Sequence, residues 1–160
     1  MNIRLATNND IEEIKNLVFS VLSEYGLKND PEGTDSDLND IEKYYLANGG
    51  TFVVVENDQG KIVGTGGLFM LRHGVCELRK MYLLKETRGQ GLGKRLIEYF
   101  LDLAPKLGFQ RIELETASVL VEAINLYKRY GFRPIECGGH LASRCDQAYA
   151  LDLTPSSSCK

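Results

Sequence analysis

The sequence lacks the closely spaced cysteine pairs that staple small secreted folds or bind structural zinc. Its four cysteines, Cys76, Cys137, Cys145 and Cys159, form no Cys-x-x-Cys, so reduced thiols in a reducing compartment are expected. Cys137, His140 and Cys145 could supply three metal ligands, but no fourth is in sight and no metal is expected there. Long apolar runs are missing as well. None approaches the roughly 20 residues of a membrane span, and the residues after Met1 are polar or alternating where a signal peptide has an apolar core. Neither a membrane role nor export is expected, which leaves the cytoplasm. There is no excess of positive charge: a formal charge of -3 argues against a protein built to grip nucleic acid. Any anion must be bound locally.

What is present is ordinary. With 160 residues, 43% hydrophobic and 26% charged, the chain is long enough to bury a core without crosslinks. One domain is expected over residues 1–153, followed by a flexible tail over 154–160.

Periodicity divides the domain into alternating elements. "NIRLAT" reads as a strand, and Asn8, Asn9 or Asp10 can cap a helix carrying Ile11, Ile14, Leu17, Val18, Val21 and Leu22 at helical spacing, ending at Gly26. An acidic loop with Pro31 and Gly33 follows; it is either solvated surface or an attractor of cations. A second short helix is expected from about Asp37 to Ala47. "TFVVVE", "KIVGTGGLFML" and "VCELRKMYLL", separated by turns at Gly60 and Gly74, predict three antiparallel strands, the middle one weakened or kinked by Gly64, Gly66 and Gly67. Leu92, Leu96, Phe100, Leu103 and Leu107 share a helix face that Gly108 closes, with Pro105 in its last turn. "RIELE", a helix from Val121 to Tyr130, "FRPIE" and "QAYALDL" complete the pattern.

The stretch "RGQGLGKR" sits between a strand and the head of the amphipathic helix. The first N–H groups of a helix have no intrahelical partners and the dipole is positive there, so the place suits an anion. Glycines let a phosphate approach, and Arg88 and Lys94 add charge. Spacing narrows the choice of phosphate. A Walker loop needs glycine and serine or threonine where Arg88 and Arg95 stand, and the dinucleotide fingerprint needs a third glycine where Lys94 or Leu96 stands.

The remaining pattern, Arg88-x-x-Gly91-x-Gly93, resembles motif A of the GNAT superfamily of N-acetyltransferases, which grips the pyrophosphate of acetyl-CoA. "LRKMYLL" is similar to that family's fourth strand. "LETASVLVEAINLYKRYGF" is similar to its motif B, with Ala123, Leu126, Tyr127, Gly131 and Phe132 in register. The order of elements agrees from Ile3 to about Leu153. The resemblance implies an α+β fold: a mostly antiparallel sheet of about seven strands, splayed between strands 4 and 5, and flanked by about four helices. Leu120 departs from the family, which often has asparagine there.

The same resemblance implies roles. Arg88, Gly89, Gln90, Gly91, Leu92, Gly93 and Lys94 would hold the diphosphate of acetyl-CoA, and Met81, Tyr82 and Leu83 its pantetheine arm, with the Met81 N–H on the acetyl carbonyl oxygen. Glu77 stands in the register of a glutamate base, unless it merely pairs with Arg79. Tyr127 matches the tyrosine that protonates the departing thiolate, unless it is a core aromatic. Alternation along the strand puts Glu77, Arg79 and Met81 on one side, so Arg79 either clamps a substrate carboxylate or forms a salt bridge. The expected activity is acetyl transfer from acetyl-CoA to a primary amine of a small molecule such as an amino acid, without metal. A protein lysine or N-terminal acetyltransferase and a non-catalytic acyl-CoA sensor are the alternatives. The resemblance also allows a homodimer through the closing strands.

Overall fold

A computed structural model describes residues 1–136, 142 and 144–153. Cys137, His140 and the tail from 154 onward, Cys159 included, lie outside the described residues. Seven strands form one sheet: β1 (Asn2–Leu5), β2 (Thr51–Glu56), β3 (Ile62–Arg72), β4 (Val75–Leu83), β5 (Arg111–Thr116), β6 (Arg133–Ile135) and β7 (Gln147–Asp152), in the spatial order β1-β2-β3-β4-β5-β7-β6. All neighbours are antiparallel except β4 and β5. That parallel pair is short, joining Val75–Glu77 to Arg111–Glu113. Beyond Glu77 the two strands carry no ladder, and the sheet opens as the resemblance implies.

Among the described residues three α-helices cover the sheet, α1 (Ile11–Glu24), α2 (Leu92–Lys106) and α3 (Val121–Arg129), with short 3-10 and π turns beside them. Strand β2 shows why helices lie on both faces. Its Val53 and Val55 belong to a core shared with α2 and α3, whereas Phe52 and Val54 belong to a second core under α1. A strand buried on both sides reads as an unbroken hydrophobic run, and "FVVV" is one. In α2, Leu92, Leu96, Ile97, Phe100 and Ala104 are buried at helical spacing, whereas Leu103, expected on the same face, is half-buried and Leu107 is exposed at the helix end. Each large side chain so buried contributes about 1.5–3 kcal/mol. Pro105 lies in the last turn and leaves the helix intact to Lys106.

The glycines expected to weaken β3 instead thin it. A Cβ on Gly66 would lie 2.8 Å from the Phe100 ring, and one on Gly67 2.6 Å from Phe52. The strand runs unbroken for 11 residues because these aromatics occupy the space its side chains would have taken.

Two local expectations are refined. Asp10 takes the N-cap position of α1 as expected but makes no side-chain bond to that helix; its carboxylate bonds back to the Thr7 N–H at 2.9 Å, in a reciprocal cap of the 3-10 turn Asn8–Asp10 that Thr7 opens. The helix expected from Asp37 to Ala47 is two pieces, a 3-10 turn over Ser36–Asn39 and a π turn over Glu42–Leu46. Asp40, at φ -155°, breaks them, its carboxylate taking the Lys43 N–H and the Asn8 amide. Leu38, Ile41 and Tyr45 are nonetheless buried, at the spacing of one helix face, while Tyr44 is exposed.

Candidate active site

Where β4 parts from β5, a cleft of about 870 Å³ opens. Its floor is the outer half of β4; the first turn of α2, the face of α3 with Ala123, Leu126 and Tyr127, and the loop with Thr34 and Asp37 form its walls. Leu120, the departure from the family pattern, lines it too.

At one end lies the glycine loop. Gly89 and Gly91 have φ of +78° and +81°, a left-handed conformation that glycine adopts without steric cost. Gly91 caps α2, whose first hydrogen bond runs from the Arg95 N–H to the Gly91 carbonyl, 3.0 Å. The N–H groups of Leu92, Gly93 and Lys94 precede that bond and so lack intrahelical partners. A Cβ on Gly91 would meet nothing within 4 Å, leaving space beside them. The set of unpaired amides, open space and cation fits a diphosphate. Gln90 is exposed, its amide bonded to the Glu86 carbonyl. Arg88 is already engaged: its guanidinium donates to both oxygens of Glu24 at 2.5 and 2.8 Å and to the Leu83 carbonyl at 2.8 and 3.1 Å. The Arg88 guanidinium holds the Glu24 carboxyl below the usual range.

In the middle of β4 the strand bulges. Thr65 faces Tyr82 and Gly67 faces Arg79, so Lys80 and Met81 together oppose Gly66. This overturns the alternation read from sequence. Met81 turns to the α2 face, packing with that core beside Leu83, while Lys80 joins Glu77 and Arg79 on the other side. Tyr82 packs with the α1 core, and burial pushes its hydroxyl pKa up to about 12.

Glu77 and Arg79 pair directly through Oε1 and Nε. The guanidinium also lies 3.6 Å from Asp37 and 3.8 Å over the Phe69 ring. Burial raises the Glu77 pKa, with the Arg79 charge opposing and Glu115 assisting. Tyr127 is buried against Phe132 at one wall of the cleft, and burial raises its pKa, so the phenol keeps its proton well above neutrality.

The structure adds residues that the sequence reading passed over. Lys80 Nζ is buried 3.2 Å from Asp35 and 3.3 Å from Asp37. Arg144 reaches Asp35 at 2.7 and 2.9 Å and lines the same cleft. A lysine directly before the apolar run "MYLL" and two aspartates two residues apart were the available signal: a charge in such a strand needs a buried partner. Among the described residues, no three His, Cys, Asp or Glu side chains are arranged to hold a metal. Cys145, half-buried at the cleft, has its thiol pKa pushed up to about 11 by burial.

A seven-stranded sheet splayed beside a glycine-headed helix is the fold of acyl-CoA-dependent acyltransferases. The sequence profile of the acetyltransferase (GNAT) family matches residues 14–132, and the chain belongs to that family as an acetyl-CoA-dependent acetyltransferase. It is 38% identical over 148 residues to the uncharacterized N-acetyltransferase YjgM of Escherichia coli K12, covering 87% of this chain and 88% of that protein. The crystal structure of a GNAT acetyltransferase from Staphylococcus aureus Mu50 superposes with a TM-score of 0.90 at 28% identity, over 96% of this chain and 99% of the other. A phosphinothricin acetyltransferase from Sinorhizobium meliloti, solved in complex with AcCoA, shares the fold at a TM-score of 0.77 and 19% identity, over 99% and 91% of the two chains. No helix among the described residues is long and apolar enough to cross a membrane.

Proposed function

We propose that the enzyme acetylates a primary amine of a small molecule by direct attack within a ternary complex. The observation that carries this reading is the meeting, in one cleft, of the free amides of α2, the β4 bulge, Glu77 and Tyr127. Acetyl-CoA supplies an already activated thioester, so no covalent enzyme intermediate is needed. The amides of Leu92, Gly93 and Lys94 hold the diphosphate. Lys94 adds charge, while Arg88, tied to Glu24 and Leu83, fixes the loop. Met81 to Leu83 line the pantetheine arm. The Met81 N–H bonds the carbonyl oxygen as it becomes anionic.

Glu77 takes the proton from the incoming ammonium, directly or through water. Its raised pKa suits a base working near neutrality. The neutral amine forms the C–N bond, and as the C–S bond breaks Tyr127 gives its phenolic proton to the leaving sulfur, the second proton lost by the nitrogen restoring the phenol. Arg79 steadies Glu77, and an amino-acid acceptor has to share that guanidinium with Glu77 and Asp37.

The Asp35–Arg144 bridge supports a small acceptor over a protein. It ties the loop before Ser36 to the segment before β7 across the acceptor end, where a peptide would need an open groove. A thiol-release screen with acetyl-CoA across amino acids, polyamines, aminoglycosides and peptides tests the assignment. Turnover with small amines and none with peptides is expected. Turnover with peptides alone would replace the reading by a protein acetyltransferase, and binding without turnover by a sensor.

A further inference from the structure

Lys80 combines two features that stability alone does not select. Its φ of +57° makes it the only residue other than glycine with positive φ among the described residues. A side chain in that region crowds its own backbone, and glycine would fit more easily. The ammonium is also buried, with a side-chain exposure of 4%. Buried ion pairs are costly to desolvate, and an apolar residue would serve packing as well.

Both ends of the residue are fastened. Lys80 Nζ lies 3.2 Å from Asp35 Oδ1 and 3.3 Å from Asp37 Oδ1 and Oδ2, with the Thr34 carbonyl at 3.5 Å. Its own carbonyl accepts the Thr65 hydroxyl at 2.7 Å, and Thr65 is fully buried. Asp35 is fully buried as well and holds Arg144 with its two oxygens. Lys80 is therefore the hub that joins the acceptor wall to the bulge. The peptide that follows it carries the Met81 N–H.

We infer that Lys80 is a positioning residue: its ion pairs with Asp35 and Asp37, and the Thr65 bond to its carbonyl, lock the bulge so that the Met81 N–H faces the carbonyl oxygen of the bound thioester. The inference rests on the reaction proposed above. It explains why a lysine occupies a left-handed position: side-chain anchoring sets the peptide orientation that a glycine would leave loose. The diphosphate site at α2 does not depend on this anchor.

The test compares Lys80→Met, Lys80→Arg and the triple variant Lys80→Met/Asp35→Asn/Asp37→Asn. The triple variant leaves no unpaired buried carboxylate at the hub, so it guards against misfolding of the single one. Coenzyme A is titrated calorimetrically to count competent sites, and kcat is expressed per site with the amine identified by the screen. The expected result is coenzyme A affinity within about twofold of wild type and kcat per site lower by about 100-fold in Lys80→Met and the triple variant, the size of a misplaced oxyanion donor. Lys80→Arg, which keeps the charge, should recover most of that loss. Unchanged kcat per site in the triple variant, or affinity and kcat falling together, would overturn the inference. A wild-type protein that binds no coenzyme A would sink the underlying reaction first, and that result shows before any variant is made.

Discussion

Replacing Gly91 with alanine separates the backbone cost of the loop from its role toward the cofactor. Gly91 sits at φ +81° and a Cβ there meets nothing within 4 Å, so the fold loses only the left-handed preference, about 1 kcal/mol. In a domain of this size that lowers the melting temperature by about 2–4 °C. Gly108 provides the control: φ +96°, again nothing within 4 Å, but at the far end of α2. Fifteen helical residues separate the two by roughly 22 Å. Gly108→Ala should therefore cost the same stability and leave acetyl-CoA binding untouched. At Gly91 the new methyl enters the space beside the Leu92, Gly93 and Lys94 amides. Hydrogen bonds to a charged group contribute about 1.5–3 kcal/mol each, so misaligning even one weakens binding at least about tenfold. Thermal melts and calorimetric titration with acetyl-CoA read the two effects separately. Equal affinity for the Gly91 variant and wild type, or equal losses for the Gly91 and Gly108 variants, would refute the reasoning.

Glu77→Gln should lower kcat by about 100-fold or more, and the wild-type fall in rate toward acid pH should disappear with it. Because burial raises the Glu77 pKa, that acid limb lies above the range of an exposed glutamate, and rate profiles against pH locate it. Tyr127→Phe should reduce kcat while leaving the KM for acetyl-CoA nearly unchanged; parallel losses would mark the ring as packing alone. Asp35 bears on stability. Burial pushes its carboxyl up, but the Arg144 side chain, the Asp30 N–H and the Lys80 charge outweigh this and its pKa is lowered. A folded pKa below the unfolded one means stabilisation that is present above the unfolded value, about 3.9, and lost as pH falls from there through the folded pKa. Denaturant unfolding from pH 6 down to pH 2 should show a shallower loss in Asp35→Asn than in wild type, from a lower starting stability at neutral pH.

Much of this molecule was legible from local pattern. The α2 stripe as far as Phe100, the three strands from Thr51 to Leu83 and the glycine loop are each decided within a window of neighbours, and the structure places them accordingly; Leu103 and Leu107 fall outside the buried stripe. The helix expected after Asp37 failed on backbone detail only. Burial of Leu38, Ile41 and Tyr45 follows the helical period, but the Asp40 carboxylate captures nearby N–H groups and divides the segment. The bulge at Lys80 was invisible because it depends on register against Gly66, and a single extra residue moved Met81 to the opposite face. Long-range charge pairing escaped for the same reason. Arg88 meets Glu24 across 64 residues and Arg144 meets Asp35 across 109, and no spacing rule reaches that far. What sequence did offer was the anomaly itself, a lysine in a buried strand, before its partners were known.

The most direct test is to titrate the isotopically labelled protein with coenzyme A while following its backbone amide resonances. Diphosphate held by the head of α2 predicts the largest downfield shifts at Leu92, Gly93 and Lys94, with Gly108 at the other end unmoved. Shifts concentrated away from the first turn of α2, or none at saturating ligand, would contradict the account.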